Sequence, residues 1–372
     1  MAPVLRVALL WAVGLSVPAE AVETMRIAMG RQSRAVVLLA KGLAFGADAE
    51  DTAFKPLGAG RATVRLERGR LTLDGVALVE RSVRFRAGAW ALDAGVPGEE
   101  PIRVGEHTVR GDVVVQVERG ALQLVNVIAL EDYLVGVLGS EMPKTFPPEA
   151  LKAQAVAART YALHRKLEAL GQPYHLGSGV LSQVYGGLAA EDPRTRAAVE
   201  ATRGQVLTYE LEPVEAYFHA SCGGRTESGF SALARDLPYL RPVDCPCGKL
   251  AVSKWALTLP AEELRAALGK DEPPSKLEVV ARSPTGRARR IAVGPDRVVD
   301  AVAFRERVGY AKVKSLAFDV DESEGRYTLT GRGFGHGAGL CQWGAKALAE
   351  AGWDYGRILR HYYVATELQV LY

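Results

Sequence analysis

The hydrophobic pattern of this chain changes period once, and that change sets its fold class. From Met25 to Val127 apolar and polar residues alternate in short runs, such as RATVRLERGRLTLDG (61–75) and TVRGDVVVQVERGALQLVNV (108–127), with glycine between them. A repeat of two puts successive side chains on opposite faces of a strand, so this region reads as β-hairpins. At Leu130 the repeat lengthens. Leu130, Tyr133, Leu134, Val137 and Leu138 fall at i, i+3, i+4, i+7 and i+8, which predicts a short amphipathic helix over 130–138 that Gly139 can end. Pro147-Pro148-Glu149 then suits a first helical turn, because proline lacks only an N–H that would be unpaired there and the carboxylate favours the positive helix end. The helix predicted over 148–166 carries alanine at 150, 153, 155, 157, 158 and 162, so neighbouring backbones can approach it closely. Strands around a Glu-Pro turn follow in GQVLTYELEPVEAYFHAS, then a hairpin-rich stretch with one short helix, AEELRAAL, over about 250–330. Two helices near the end, from Gln342 and over 355–363, complete an α+β reading: a β-rich N-terminal region, a mixed α/β core and an inserted β-hairpin-rich segment.

With 372 residues, 48% hydrophobic and 24% charged, the chain can bury a large core. A net charge of +3 without a basic run argues against nucleic acid as the main ligand and suits an anionic polymer. The first residues, MAPVLRVALLWAVGLSVPAEA, hold one arginine, an apolar run from Val7 to Val17 and a small-x-small site at Ala19-Glu20-Ala21. That is the pattern of a secretory signal peptide cut after Ala21; the run is too short to span a bilayer, and no cysteine follows for lipid attachment. The expected location is therefore the periplasm, cell envelope or exterior, with no stable membrane span after cleavage.

Export places Cys222, Cys245, Cys247 and Cys341 where disulfides can form. His219, Cys222 and Cys245-Pro-Cys247 also have the ligand types of a zinc site, but C-x-C is a poorer clamp than C-x2-C. No metal and no cofactor is expected on this reading. Glu141 follows one predicted helix and precedes another, in a segment stiffened by Pro143, Pro147 and Pro148, with Leu138, Met142 and Phe146 near enough to desolvate it. Such a carboxyl has the raised pKa that a general acid needs, although a solvated loop acid has the same sequence neighbours. GRGFGHGAG (331–339) fits neither a P-loop nor a dinucleotide fingerprint; its glycines let backbone pass close to a ligand or to another strand, leaving Phe334 and His336 to reach outward.

The ordered series SEMPKTFPPEALKAQAVAARTYAL (140–163), SQVYGG (182–187), TRGQVLTY (202–209), YFHASCGGRTES (217–228), PYLRPV (238–243) and GFGHGAGLCQWGAKALAEAG (333–352) resembles the SpoIID/LytB family. The resemblance implies a peptidoglycan lytic transglycosylase whose catalytic acid/base is Glu141, the glutamate of Ser-Glu-Met-Pro. It also implies a groove where Arg159, Gln183, Tyr185, His219, Arg241, His336 and Gln342 bind substrate. The domain division it suggests is a signal peptide at 1–21, a β-rich region at 22–120 and a catalytic core at 121–372 with the insertion at about 250–330. Some relatives bind zinc through Cys and His around the segment matching 182–185; here that segment has His175 but no cysteine. Cys222 and Cys341 stand where relatives often carry serine, in loops expected at one groove, so the resemblance implies a Cys222–Cys341 disulfide.

One carboxyl is enough for the implied reaction. A hydrolase needs a second carboxylate to attack or to activate water, whereas a lytic transglycosylase uses the sugar's own C6 hydroxyl. The expected partners are peptidoglycan glycan strands and a cell-wall amidase. The amidase enters through the alternative reading, a noncatalytic enhancer; a metal-dependent wall hydrolase is the third.

Overall fold

The computed structural model describes residues 22–32, 34–49, 52–88, 100–179, 182–269 and 276–372; the signal segment 1–21 lies outside them. Among these residues the N-terminal region forms two sheets, of seven and six strands. Thr24–Gln32 is the second strand from one edge of the first sheet, antiparallel to Ala121–Ala129 with Met25 opposite Ile128, and a register shift between Ala28 and Gly30 bends it. Asp112–Glu118, Ser82–Arg86, Ala44–Gly46 and Lys55–Pro56 extend the sheet on one side, and Leu176–Gly177 adds a short parallel strand on the other. The sheet thus runs past residue 120, to Ala129. Residues Leu122–Ile128 are all buried, so this strand is covered on both faces, and its two polar side chains, Gln123 and Asn126, are hydrogen-bonded to backbone carbonyls.

Helix α1 spans Leu130–Glu141 and α2 spans Pro148–Glu168. The first departs from expectation: Gly139 does not end it. A Cβ on Gly139 would stand 1.9 Å from the Ala190 carbonyl oxygen, so the glycine serves close packing inside the helix, and Glu141 occupies the last turn rather than a loop. In α2 all six alanines have zero exposure. Each buried methyl contributes only about 0.8 kcal/mol, so what alanine mainly supplies here is clearance for the segments packed around the helix. Helix α3 (Pro193–Glu200) is capped by Asp192, and the short α4 (Gly229–Leu233) by Ser228; neither follows from the hydrophobic period.

The inserted segment has its own core, built on Trp255, Leu259, Leu264, Ile291, Phe304 and Leu329 among others. Its two three-stranded sheets accompany α5 (Ala261–Leu268), where a helix is expected, and α6 (Ala301–Val308), which the single-helix reading misses. Asp300 marks the start of α6, its carboxylate accepting the Val302 and Ala303 N–H groups. The chain then returns to the main core through α7 (Gln342–Glu350) and α8 (Tyr355–Tyr362). One apolar cluster runs from Met25 to Tyr363 and joins the N-terminal sheets to the helices. Among the described residues no helix is long and apolar enough to cross a membrane.

Candidate active site

Glu141 is positioned by the packing of α1 against residues 182–190. Gly136 leaves room for the Tyr185 ring, and Gly139 for the Ala190 carbonyl, so the chain is drawn tightly past the helix end. Val184 N–H then donates to Glu141 Oε1 at 2.7 Å. Burial raises the Glu141 pKa, and the Val184 hydrogen bond only partly offsets it. Among the described residues no ion pair reaches this carboxyl, and no neighbouring charge contributes to its shift. It is a half-buried acid with one fixed oxygen.

Behind it lies a tyrosine pair. Tyr133 Oη donates to Gln183 Oε1 at 2.9 Å, and Gln183 Nε2 donates to the Ala158 carbonyl of α2 at 3.1 Å. Tyr185 Oη donates to Asn126 Oδ1 at 3.0 Å, with the two rings 5.1 Å apart. Burial, with smaller contributions from Tyr185 and Glu141, keeps the Tyr133 hydroxyl protonated well beyond its usual range, so it remains a donor. Gln183 has zero exposure and Tyr185 is buried, which places both as supports of the Glu141 segment rather than on an open surface. Tyr133 and Asn126 complete this support. The sequence pattern had shown Tyr133 only as a helical core position.

Arg159 is likewise interior. Its guanidinium forms a two-pronged pair with Glu131, Nε to Oε1 at 2.8 Å and Nη2 to Oε2 at 2.7 Å, and donates to the carbonyls of Val199 and Gln205. With zero exposure it ties α1, α2 and the strand after α3 together, away from the surface at which the resemblance implies a substrate contact. Arg241 is exposed; it donates to the Pro238 carbonyl at 3.2 Å and faces Asp236 at 3.6 Å.

The glycine-rich loop lies against the His219 strand. Phe218–His219 pairs in parallel with Leu340–Cys341, and Ser221 bridges Phe334. His336 Nε2 lies 2.9 Å from the Phe218 carbonyl and its Nδ1 accepts from Ala338 N–H, so the proton sits on Nε2. Burial pushes His336 down to about 4. Burial likewise lowers His219, helped by His336 and Arg287; its Nδ1 is 3.0 Å from the Ala338 carbonyl and its Nε2 has no partner among the described residues. Both imidazoles are neutral at pH 7. Phe334, 44% exposed, presents an aromatic face beside them. Gln342 is buried, with Nε2 at 3.4 Å from Gln154 Oε1. Gln154 and Ala158 are one turn apart on α2, so the Glu141 support and the glycine loop rest on the same stripe of that helix.

The four cysteines are all free and buried, and their sulfurs lie within 4.8 Å of one another. The expected Cys222–Cys341 bond is absent because all four side chains converge on one point. Cys341, rather than His219, completes the set with Cys222, Cys245 and Cys247.

Taken together, the site presents one desolvated carboxyl at a helix end, held by one backbone N–H beside an alanine-rich helix. Comparison with known sequences places it further. Residues 118–209, which include α1, Glu141 and α2, match the stage II sporulation protein (SpoIID) family, and residues 249–339 match a domain of unknown function. Stage II sporulation protein D of Bacillus subtilis is 33% identical over 287 residues, covering 72% of this chain and 83% of the relative. An uncharacterized protein of Brachyspira hyodysenteriae is 34% identical over 250 residues, covering 66% of this chain and 68% of the relative. The amidase enhancer of B. subtilis is 29% identical over 290 residues, covering 63% of this chain and 40% of that longer protein. The chain belongs to the SpoIID family.

Proposed function

We propose that the protein is an exported peptidoglycan lytic transglycosylase in which Glu141 is the acid/base. The observation carrying this reading is the state of that carboxyl: burial raises its pKa, and among the described residues Val184 N–H alone binds it and no cation shares it. Such a group can be protonated at the start of a turnover. It would donate its proton to the glycosidic oxygen as the bond to C1 of the muramic acid breaks. The resulting carboxylate then takes the proton from that sugar's C6 hydroxyl as the oxygen bonds to C1, leaving a 1,6-anhydro end and a regenerated acid. No water is consumed, so a second carboxylate is not required. The neutral His219 and His336, the first buried and the second half-buried, fit neither step as ionised groups and serve to shape the loop.

Family membership and the relatives' names support a role on peptidoglycan, and the amidase enhancer supports a second reading in which the protein assists an amidase without cutting glycan. Mass spectrometry of digested glycan strands, intact and stripped of stem peptides, separates the two. Wild type should yield anhydro-muramyl ends, and Glu141→Gln should lose ~10²–10⁴-fold of that rate while staying folded. If wild type yields none on either substrate yet raises an amidase's rate, and Glu141→Gln does the same, the enhancer reading replaces the enzymatic one.

A further inference from the structure

Cys222, Cys245, Cys247 and Cys341 come from three separate parts of the chain. Cys222 opens the Gly223-Gly224 turn, Cys245 and Cys247 flank Pro246 at a 3-10 turn (Pro246–Lys249), and Cys341 caps the N-terminus of α7. Yet the four sulfurs sit within 4.8 Å of one another, all from buried side chains. A tetrahedral zinc tetrathiolate has Zn–S bonds of about 2.3 Å, which sets its sulfurs roughly 3.8 Å apart. The cluster already has that compactness, with Cys222 and Cys247 at 3.3 Å. A multi-iron cluster would hold its cysteines around a larger body of metal and sulfide.

Donors surround the sulfurs, with one acceptor, the Ala220 carbonyl, at 3.8 Å from Cys341 Sγ. Cys341 Sγ accepts the N–H groups of Cys222 and Gly344, each at 3.3 Å, the second from the first turn of α7, whose positive end favours a negative sulfur. Tyr362 Oη lies 3.2 Å from Cys245 Sγ, and Ser221 Oγ donates to Cys247 Sγ at 3.5 Å. A metal-bound tetrathiolate gains from such outer donors. Space for it is kept by Gly344, where a Cβ would fall 2.3 Å from Cys245 Sγ and 2.1 Å from Tyr362 Oη. The ion and four thiolates together carry two negative charges. The buried Arg287, whose guanidinium donates to the Cys222 and Arg225 carbonyls and also faces Glu227 at 3.9 Å, places a cation beside them.

We infer that these four cysteines bind one zinc ion that fastens both ends of the inserted module to the core. Cys245 and Cys247 immediately precede the module matched at residues 249–339, Cys341 immediately follows it, and Cys222 belongs to the core turn beneath. All four coordination positions are protein sulfurs, so the ion is structural and has no open position for a substrate. It is distinct from the Glu141 carboxyl, and its presence or absence is read without any assay of catalysis.

The test is metal analysis and X-ray absorption on the untagged, purified chain after dialysis against metal-free buffer. About one zinc per chain with four sulfur neighbours at about 2.3 Å is expected. Cys245→Ser and Cys341→Ser should each lower zinc content at least tenfold, whereas His219→Phe should retain it. Because a cysteine variant can fail to fold, the wild-type chain is also stripped of metal with a thiol-blocking mercurial, which should release one zinc. Cobalt reconstitution of the reversed, metal-free protein should give the intense sulfur-to-cobalt absorption of a tetrahedral thiolate site. Two disulfides in the nonreduced protein, four alkylatable thiols that take up no zinc or cobalt, or iron in place of zinc would each overturn the assignment.

Discussion

Replacing Arg159 with methionine separates a structural arginine from a substrate-binding one. The side chain has zero exposure and its two bonds to Glu131 are 2.7 and 2.8 Å long. Methionine keeps most of the aliphatic length, so the loss is mainly that of the guanidinium. Glu131 would retain the Tyr372 hydroxyl at 2.6 Å and the Gly204 N–H at 3.4 Å, but no cation. Removing one partner of a buried pair costs about 3–5 kcal/mol because the other charge is stranded. Urea unfolding followed by tryptophan fluorescence should show a fall of this size at pH 7. Adding Glu131→Gln removes the stranded charge, and the double variant should recover roughly 1–3 kcal/mol relative to the sum of the single changes. The pH dependence has a definite sign. Burial alone would raise the Glu131 pKa, but the hydrogen bonds and charge of Arg159, with Tyr372 and Gly204, bring it below the ordinary value. Its stabilising contribution is therefore present above the ordinary carboxylate pKa of about 4.3 and is lost as pH falls through the lower folded value. The gap between wild type and Arg159→Met should narrow in that acidic window. A variant within about 0.5 kcal/mol of wild type that binds glycan strands many-fold more weakly would refute this account and restore Arg159 as a substrate contact.

Burial raises the folded pKa of Glu141, so its favourable contribution to stability is present below the ordinary glutamate value and lost as pH rises through the folded one; at pH 7 Glu141→Gln should be more stable than wild type in urea unfolding while losing activity, and a less stable variant would contradict the desolvation. For the same reason kcat/KM for glycan cleavage should decline as pH rises through a pKa above the usual carboxylate range, and a profile with that limb at or below about 4.3 would contradict the desolvated acid. Gly139→Ala, whose Cβ would meet the Ala190 carbonyl at 1.9 Å, should cost about 1–3 kcal/mol and slow turnover at least tenfold by shifting the end of α1, whereas full activity would mean that Glu141 tolerates the shift. N-terminal sequencing of the secreted protein should begin at Val22, and an intact Met1 terminus on a cytoplasmic product would overturn the export reading.

Local pattern alone determined the β-rich start, the turn to helix at Leu130, the long alanine helix and the final pair of helices, because strand and helix periodicity and proline placement act over a few residues. Its apolar and proline neighbours made Glu141 a candidate, and it was the family resemblance that gave this residue its implied role. Tertiary structure decided what those residues do. Gly139 reads as a helix stop until the Ala190 carbonyl is seen against it, and Arg159 reads as a basic group free for substrate until Glu131, 28 positions away, is found across from it. Gln183 and Tyr185 sit in a conspicuous motif, yet their hydroxyl and amide partners, Tyr133 and Asn126, lie on elements packed from elsewhere in the chain. The cysteines show the limit most plainly. Their spacing offers a poor C-x-C clamp and two isolated thiols, and only the return of the chain from the inserted module brings Cys341 to the other three. Hydrogen bonding, desolvation and ligand geometry depend on distances between remote segments, and those distances are fixed by packing.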